Sequence, residues 1–145
     1  MADSLDGADE LPVGELPLPV YKPVLGRMGA VELHQDFHFQ HYFVQRGTIW
    51  DGQSVPRWLW PVAGSPFDPL SMPASLIHDE LYRLGRYFDE SGTGQPISRL
   101  RADGIFYDLC IIYGVPIWAA YKKYLGLRVG GWVAWRRHRR KREGG

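Results

Sequence analysis

Cysteine is nearly absent: Cys110 stands alone among 145 residues, which excludes an internal disulfide framework. Placed in an apolar helical run, it reads as a small core residue. No stretch approaches the roughly 18–20 uninterrupted apolar residues of a membrane span. The start, Met1-Ala-Asp-Ser-Leu-Asp6, lacks the basic and apolar regions of a signal peptide, so the chain is expected to be made in the cytoplasm. Each end also lacks one sign of charge. Residues 1–20 carry Asp3, Asp6, Asp9, Glu10 and Glu15 without a Lys or Arg, and residues 132–145 carry five Arg and Lys141 against Glu143 alone. Net charge is only +1, so this asymmetry points to two interaction arms rather than a uniformly charged surface.

The composition allows a real core, with six Trp and eight Tyr, and the length suits one domain with tails. Residues 1–26 are acidic and rich in Pro and Gly, and read as an extended or disordered arm until docked on a partner. A single globular domain is expected over 27–130, and a basic Trp/Arg-rich tail over 131–145. No internal repeat is visible.

Val31, Leu33, Phe37 and Phe39 alternate with polar residues, which predicts a strand, with Gln35 as a polar break on its apolar face. Tyr42–Val44 and Thr48–Trp50 predict a second, broken near Gly47. His34, His38 and His41 lack a tight metal-ligand spacing and read as exposed strand residues. Trp50-Asp-Gly-Gln-Ser-Val-Pro56 is a turn signal in which Asp51 can bond its own backbone. Arg57–Trp60 forms at most one short turn.

Pro73 suits the first turn of a helix, Ala74, Ile77, Leu81 and Leu84 form its apolar stripe, and Gly85 is its stop. Ser98 is a plausible N-cap for a second helix, whose apolar face holds Ala102, Ile105, Phe106, Leu109, Ile112 and Tyr113. Pro116 opens a third through about Val129, with Ile117, Ala120, Tyr121, Tyr124 and Leu125 inward and Gly130-Gly131 as its end. The fold class is α+β, mainly α: a small antiparallel β element with a three-helix core.

Three polar groups fall on helices that otherwise read as core. His78, Asp79 and, at the edge of its apolar face, Asp103 are costly there unless partnered, and antiparallel packing of the first two helices puts Asp103 near His78. A carboxylate that takes one imidazole N–H leaves the other nitrogen to accept a proton from water. Tyr82, one turn beyond His78, can donate to Asp103. Asp79 projects about 100° from His78 around the helix and can ligate a hard cation together with backbone carbonyls. The same residues can equally form a buried network that locks two helices.

His78-Asp79-x-x-Tyr82 followed by Ala102-Asp103-x-x-Phe106 resembles the catalytic helices of phospholipase A2, most nearly the disulfide-free form in the parvovirus minor capsid protein. The resemblance implies His78 as base, Asp103 as its orienter, Tyr82 as a support, and calcium on Asp79, with Ala63-Gly64-Ser65 and Asp51 as candidates to complete the shell. A second pattern runs from Trp50-Asp51-x-x-Ser54-Val-Pro56 through Ala74-x-x-x-His78-Asp79 and Ser98-Arg99-x-x-Ala102-Asp103 to Gly114-Val115. It resembles a small group of uncharacterised phage and prophage proteins over about residues 30–130, which implies a product of the host cytoplasm, associated in one reading with the virion. The expected function is a calcium-assisted hydrolase of membrane-lipid esters. The alternative is a non-catalytic tail or neck protein that docks on other phage structural proteins through its arms. The tail's Trp132 and Trp135 with Arg136, Arg137, Arg139 and Arg140 suit an anionic lipid surface, an acidic partner or, through phosphates, nucleic acid.

Overall fold

The computed structural model describes residues 16–40, 42–50, 57–64, 68–89 and 91–144. Short strands come first: β1 (Tyr21–Pro23), β2 (Val31–Leu33), β3 (Phe37–Phe39), β4 (Tyr42–Val44) and β5 (Ile49–Trp50). A 3-10 turn (Arg57–Leu59) leads into α1 (Trp60–Ala63), then α2 (Met72–Leu84), β6 (Arg86–Phe88), β7 (Gly94–Pro96), α3 (Arg99–Ile112) and α4 (Ile117–Glu143). The result is α+β and mainly helical, as the pattern predicts.

The expected long first strand is two. β2 lies between β1 and β5 in one antiparallel sheet, with Val31 opposite Trp50, and β3 pairs only with β4. The chain breaks at 34–36, around Gln35, and Asp36 accepts the Arg46 amide at 2.7 Å. Alternation still decides burial: Phe37, Phe39, Tyr42 and Val44 enter the core while His38 and Phe43 stack outside, ring centroids 4.6 Å apart. His34 is exposed as well; His41, Asp51 and Ser54 lie outside the described residues.

The arm docks on the chain's own domain from residue 16 onward, a correction to the arm that waits for a partner. Leu16 is buried, Tyr113 donates its hydroxyl to the Pro17 carbonyl at 2.6 Å, and β1 adds to the sheet. Between α2 and α3 the chain forms the β6–β7 hairpin.

α2 and α3 begin and end close to where local chemistry places them. Pro73 sits in the first turn of α2, and Gly85, at φ 62°, closes it by donating its N–H to the Leu81 carbonyl at 2.8 Å. This left-handed position favours glycine. The Ser98 hydroxyl accepts the Arg101 amide and caps α3. Cys110 is fully buried and desolvation pushes its thiol up to about 12. Thiol reagents are therefore expected to label it at least about a hundredfold more slowly in the native protein than in urea. Native-state labelling at the denatured rate would show that the α3 core opens freely.

α4 departs most from expectation. It runs unbroken for 27 residues through Gly130-Gly131 to Glu143, so the basic segment is helix, not tail. Its inward face is also different. Ala120, Lys123, Gly126, Leu127, Gly130, Gly131 and Ala134 are buried, whereas Ile117, Tyr121 and Leu125 face outward and Tyr124 is half-buried. A glycine inside a helix costs about 1 kcal/mol relative to alanine. Here the small residues form the contact surface, which lets the α4 backbone lie close against α2 and α3.

Candidate functional site

Three helices converge on one carboxylate. α2 carries His78 and Tyr82 at i and i+4, hence on one face, with their rings tilted and 4.1 Å apart. α3 presents Asp103 from its second turn, and α4 presents Arg128. Tyr82 meets Asp103 while His78 meets Asp103 and also the edge of Phe106 at 5.4 Å. Contacts that move back along α2 as they move forward along α3 are those of an antiparallel hairpin.

Asp103 is fully buried and its two oxygens divide the work. Oδ1 accepts from His78 Nε2 at 2.8 Å and from the Tyr82 hydroxyl at 2.6 Å. Oδ2 accepts from an Arg128 guanidinium nitrogen at 2.7 Å, with Arg99 further off at 3.6 Å. Burial by itself raises the Asp103 pKa. The His78 hydrogen bond and charge, then Tyr82 and Arg128, outweigh it and hold the carboxyl below its ordinary value. Burial and the neighbouring carboxylate push the Tyr82 phenol far up, so it remains a donor.

This arrangement fixes a tautomer. An ionised carboxylate can only accept, so Nε2 of His78 carries the hydrogen and Nδ1 of the neutral ring keeps its lone pair. Arg128 also offsets the buried negative charge of Asp103. The pair has the composition of a base and its orienter. It is also closed: the His78 side chain is 2 % exposed.

Of the residues expected to hold a cation, Asp79 and Gly64 are among those described. Asp79 is half-buried, and its charge acts on Arg83 one turn along. Gly64 ends α1, and a Cβ built on it would lie 2.9 Å from the Lys123 ammonium. Lys123 in turn pairs with Asp68 at 2.8 Å, and Asp68 accepts the Ser71 amide and hydroxyl at the start of α2. The Lys123 ammonium therefore lies beside Gly64. Asp51 lies outside the described residues, and among these no group of three or more His, Cys, Asp or Glu is placed to hold a metal ion.

Sequence reasoning brought His78, Tyr82 and Asp103 together but missed Arg99, Arg128 and the Lys123–Asp68 pair. Arg99 had a signal, since it lies four residues before Asp103 on α3. Arg128 had none, because its partner is on another helix. Among the described residues no helix is long and apolar enough to cross a membrane.

Comparison with known proteins adds no activity. The chain is 32% identical over 105 residues to "Uncharacterized protein y4jT" of Sinorhizobium fredii, an alignment covering 69% of this chain and 28% of that protein. It therefore spans less than a third of that relative's length. No solved structure matches. Residues 29–127, which include α2, α3 and the first part of α4 up to the residue before Arg128, match the family described as "Protein of unknown function (DUF1353)", and the chain belongs to that family.

Proposed function

We propose that the chain is a phage-encoded hydrolase of lipid esters, resembling phospholipase A2, with His78 as general base and Asp103 as the group that orients it. The observation that supports this reading is the division of labour at Asp103. One buried oxygen takes Nε2–H of His78 and the Tyr82 hydroxyl, which leaves Nδ1 as the basic nitrogen. In the proposed step Nδ1 takes a proton from water while the water oxygen bonds to the ester carbonyl carbon. Collapse of the tetrahedral intermediate breaks the bond to the alcohol oxygen, which receives that proton, and releases a fatty acid. Calcium would polarise the carbonyl in an enzyme of this type.

A specific observation favours a second reading. At 2 % exposure the His78 side chain meets a substrate only after the residues over it move. The closed His78–Asp103–Tyr82–Arg128 network also suits a non-catalytic virion component in which it locks three helices. One assay separates the two: fatty-acid release from mixed anionic phospholipid vesicles, with calcium and with chelator, for the wild type and His78→Ala. The hydrolase reading expects release that falls at least about a hundredfold in the variant, the usual scale for loss of a general base. A folded wild type that releases nothing, beside a His78→Ala protein that is merely less stable, overturns it in favour of the structural network. Release that persists in chelator removes calcium from the proposal while leaving His78 in place.

A further inference from the structure

We propose that the outward face of α4 is a docking surface for an anionic lipid bilayer, on which the helix lies in the plane of the headgroups. Trp118, Tyr121, Leu125, Val129, Trp132 and Val133 are all exposed, Trp118 by 68 % and Val129 by 60 %. Their spacings of three, four, four, three and one keep them on one side, opposite Ala120, Leu127, Gly130 and Ala134. At 1.5 Å per residue the stripe is ~22 Å long. α4 is thus apolar on both sides over its first four turns, and only one side has found cover. A contiguous apolar strip of this kind marks an interaction surface rather than ordinary exposure.

The charge on the same helix selects the occupant. From Ile117 to Arg142 there are nine Lys and Arg and no Asp or Glu. Four of the nine serve the fold: Lys123 with Asp68, Arg128 with Asp103, Arg139 with Glu143, and Arg142 with the Tyr82 carbonyl. Arg136, Arg140 and Lys141 are exposed and, with Trp132 and Val133, line a shallow hollow of about 430 Å³ that continues the stripe. Arg136 lies over the Trp132 ring at 5.6 Å and Lys122 over Trp118 at 5.7 Å. Cations held beside tryptophans along an apolar strip match a headgroup boundary, where the indole sits at the interface and the bases reach phosphates. A second copy would set these cations against their own kind. A polynucleotide would have no use for Leu125, Val129 and Val133. A single convex helix also offers no groove for a partner helix. The docking requires no catalytic step.

The test is sedimentation of the full chain with vesicles of phosphatidylglycerol and phosphatidylcholine, against phosphatidylcholine alone, with thermal melting of every variant as a folding control. The wild type is expected to bind the mixed vesicles and to bind phosphatidylcholine at least about tenfold more weakly. Trp118→Ser with Trp132→Ser is expected to weaken binding about tenfold or more at an unchanged melting temperature. Arg136→Gln with Arg140→Gln is expected to remove the preference for the anionic lipid. Failure of the folded wild type to bind overturns the proposal. So does binding that ignores both tryptophans, which would make the face a general polyanion site. A dimer in sedimentation equilibrium that the tryptophan pair abolishes would reassign it to a second copy. Binding is read without chemistry, so loss of fatty-acid release with intact sedimentation counts against the hydrolase and not against this surface.

Discussion

Asp103→Ala is expected to lower folding stability by ~3–5 kcal/mol, read as a shift in the urea midpoint. The size follows from what the carboxylate holds. Removing it strips the acceptor from the His78 ring N–H and from the Tyr82 hydroxyl, both on buried side chains, and leaves the Arg128 guanidinium without its anion. Each buried donor left unpaired costs about 1–3 kcal/mol, and the half-exposed arginine recovers part of its loss through water. A loss below about 1 kcal/mol would mean that the three helices are not joined through this residue.

The same carboxylate sets an acid limit. Its folded pKa lies below the ordinary value of 3.8, so its contribution is fully present above about pH 4. That contribution is lost as pH falls through the lower folded value, where the native carboxylate takes up a proton that the unfolded chain has already bound. Asp103→Asn removes that titration. Its stability should be lower than wild type at pH 7, and the gap should narrow as the pH approaches 2. Parallel curves for the two proteins would place the acid sensitivity elsewhere.

Deleting residues 132–145 is expected to cost roughly 3 kcal/mol, a fall in Tm of roughly 10 °C. If the segment were an appended tail, its loss would leave the domain untouched. In the folded chain it is the last three turns of α4, and it returns to the core. Ala134 is buried, Trp135 packs edge-on against Tyr82 with centroids 5.1 Å apart, and Arg142 donates to the Tyr82 carbonyl at 2.5 Å while stacking on Trp135. Arg142 thereby satisfies a carbonyl at the C-terminus of α2, where a cation also suits the helix dipole. The deletion thus exposes the back of the Tyr82 ring, beside the candidate site. An unchanged Tm on truncation would show that these contacts contribute nothing.

By itself the sequence determined what depends on near neighbours. The limits of α2 follow from Pro73 and Gly85, the start of α3 from the Ser98 hydroxyl, and burial in β3 from alternation. The meeting of His78, Tyr82 and Asp103 was legible too, because polar groups on apolar faces four residues apart need a shared acceptor, and a short connection leaves few places for it. Only the tertiary structure decided how α4 is used. Local propensity stops a helix at Gly130-Gly131, but two glycines pressed against α2 and α3 recover by close packing what they lose in backbone entropy. The largest apolar side chains of α4 look inward on a helical wheel, but the narrow space beside α2 and α3 admits Ala120, Gly126, Gly130 and Ala134 and turns Trp118, Tyr121 and Leu125 outward. Arg128 at Asp103 and Lys123 beside Gly64 are set by that same seating of α4. Spacing along the chain carries no information about which cation arrives from another helix.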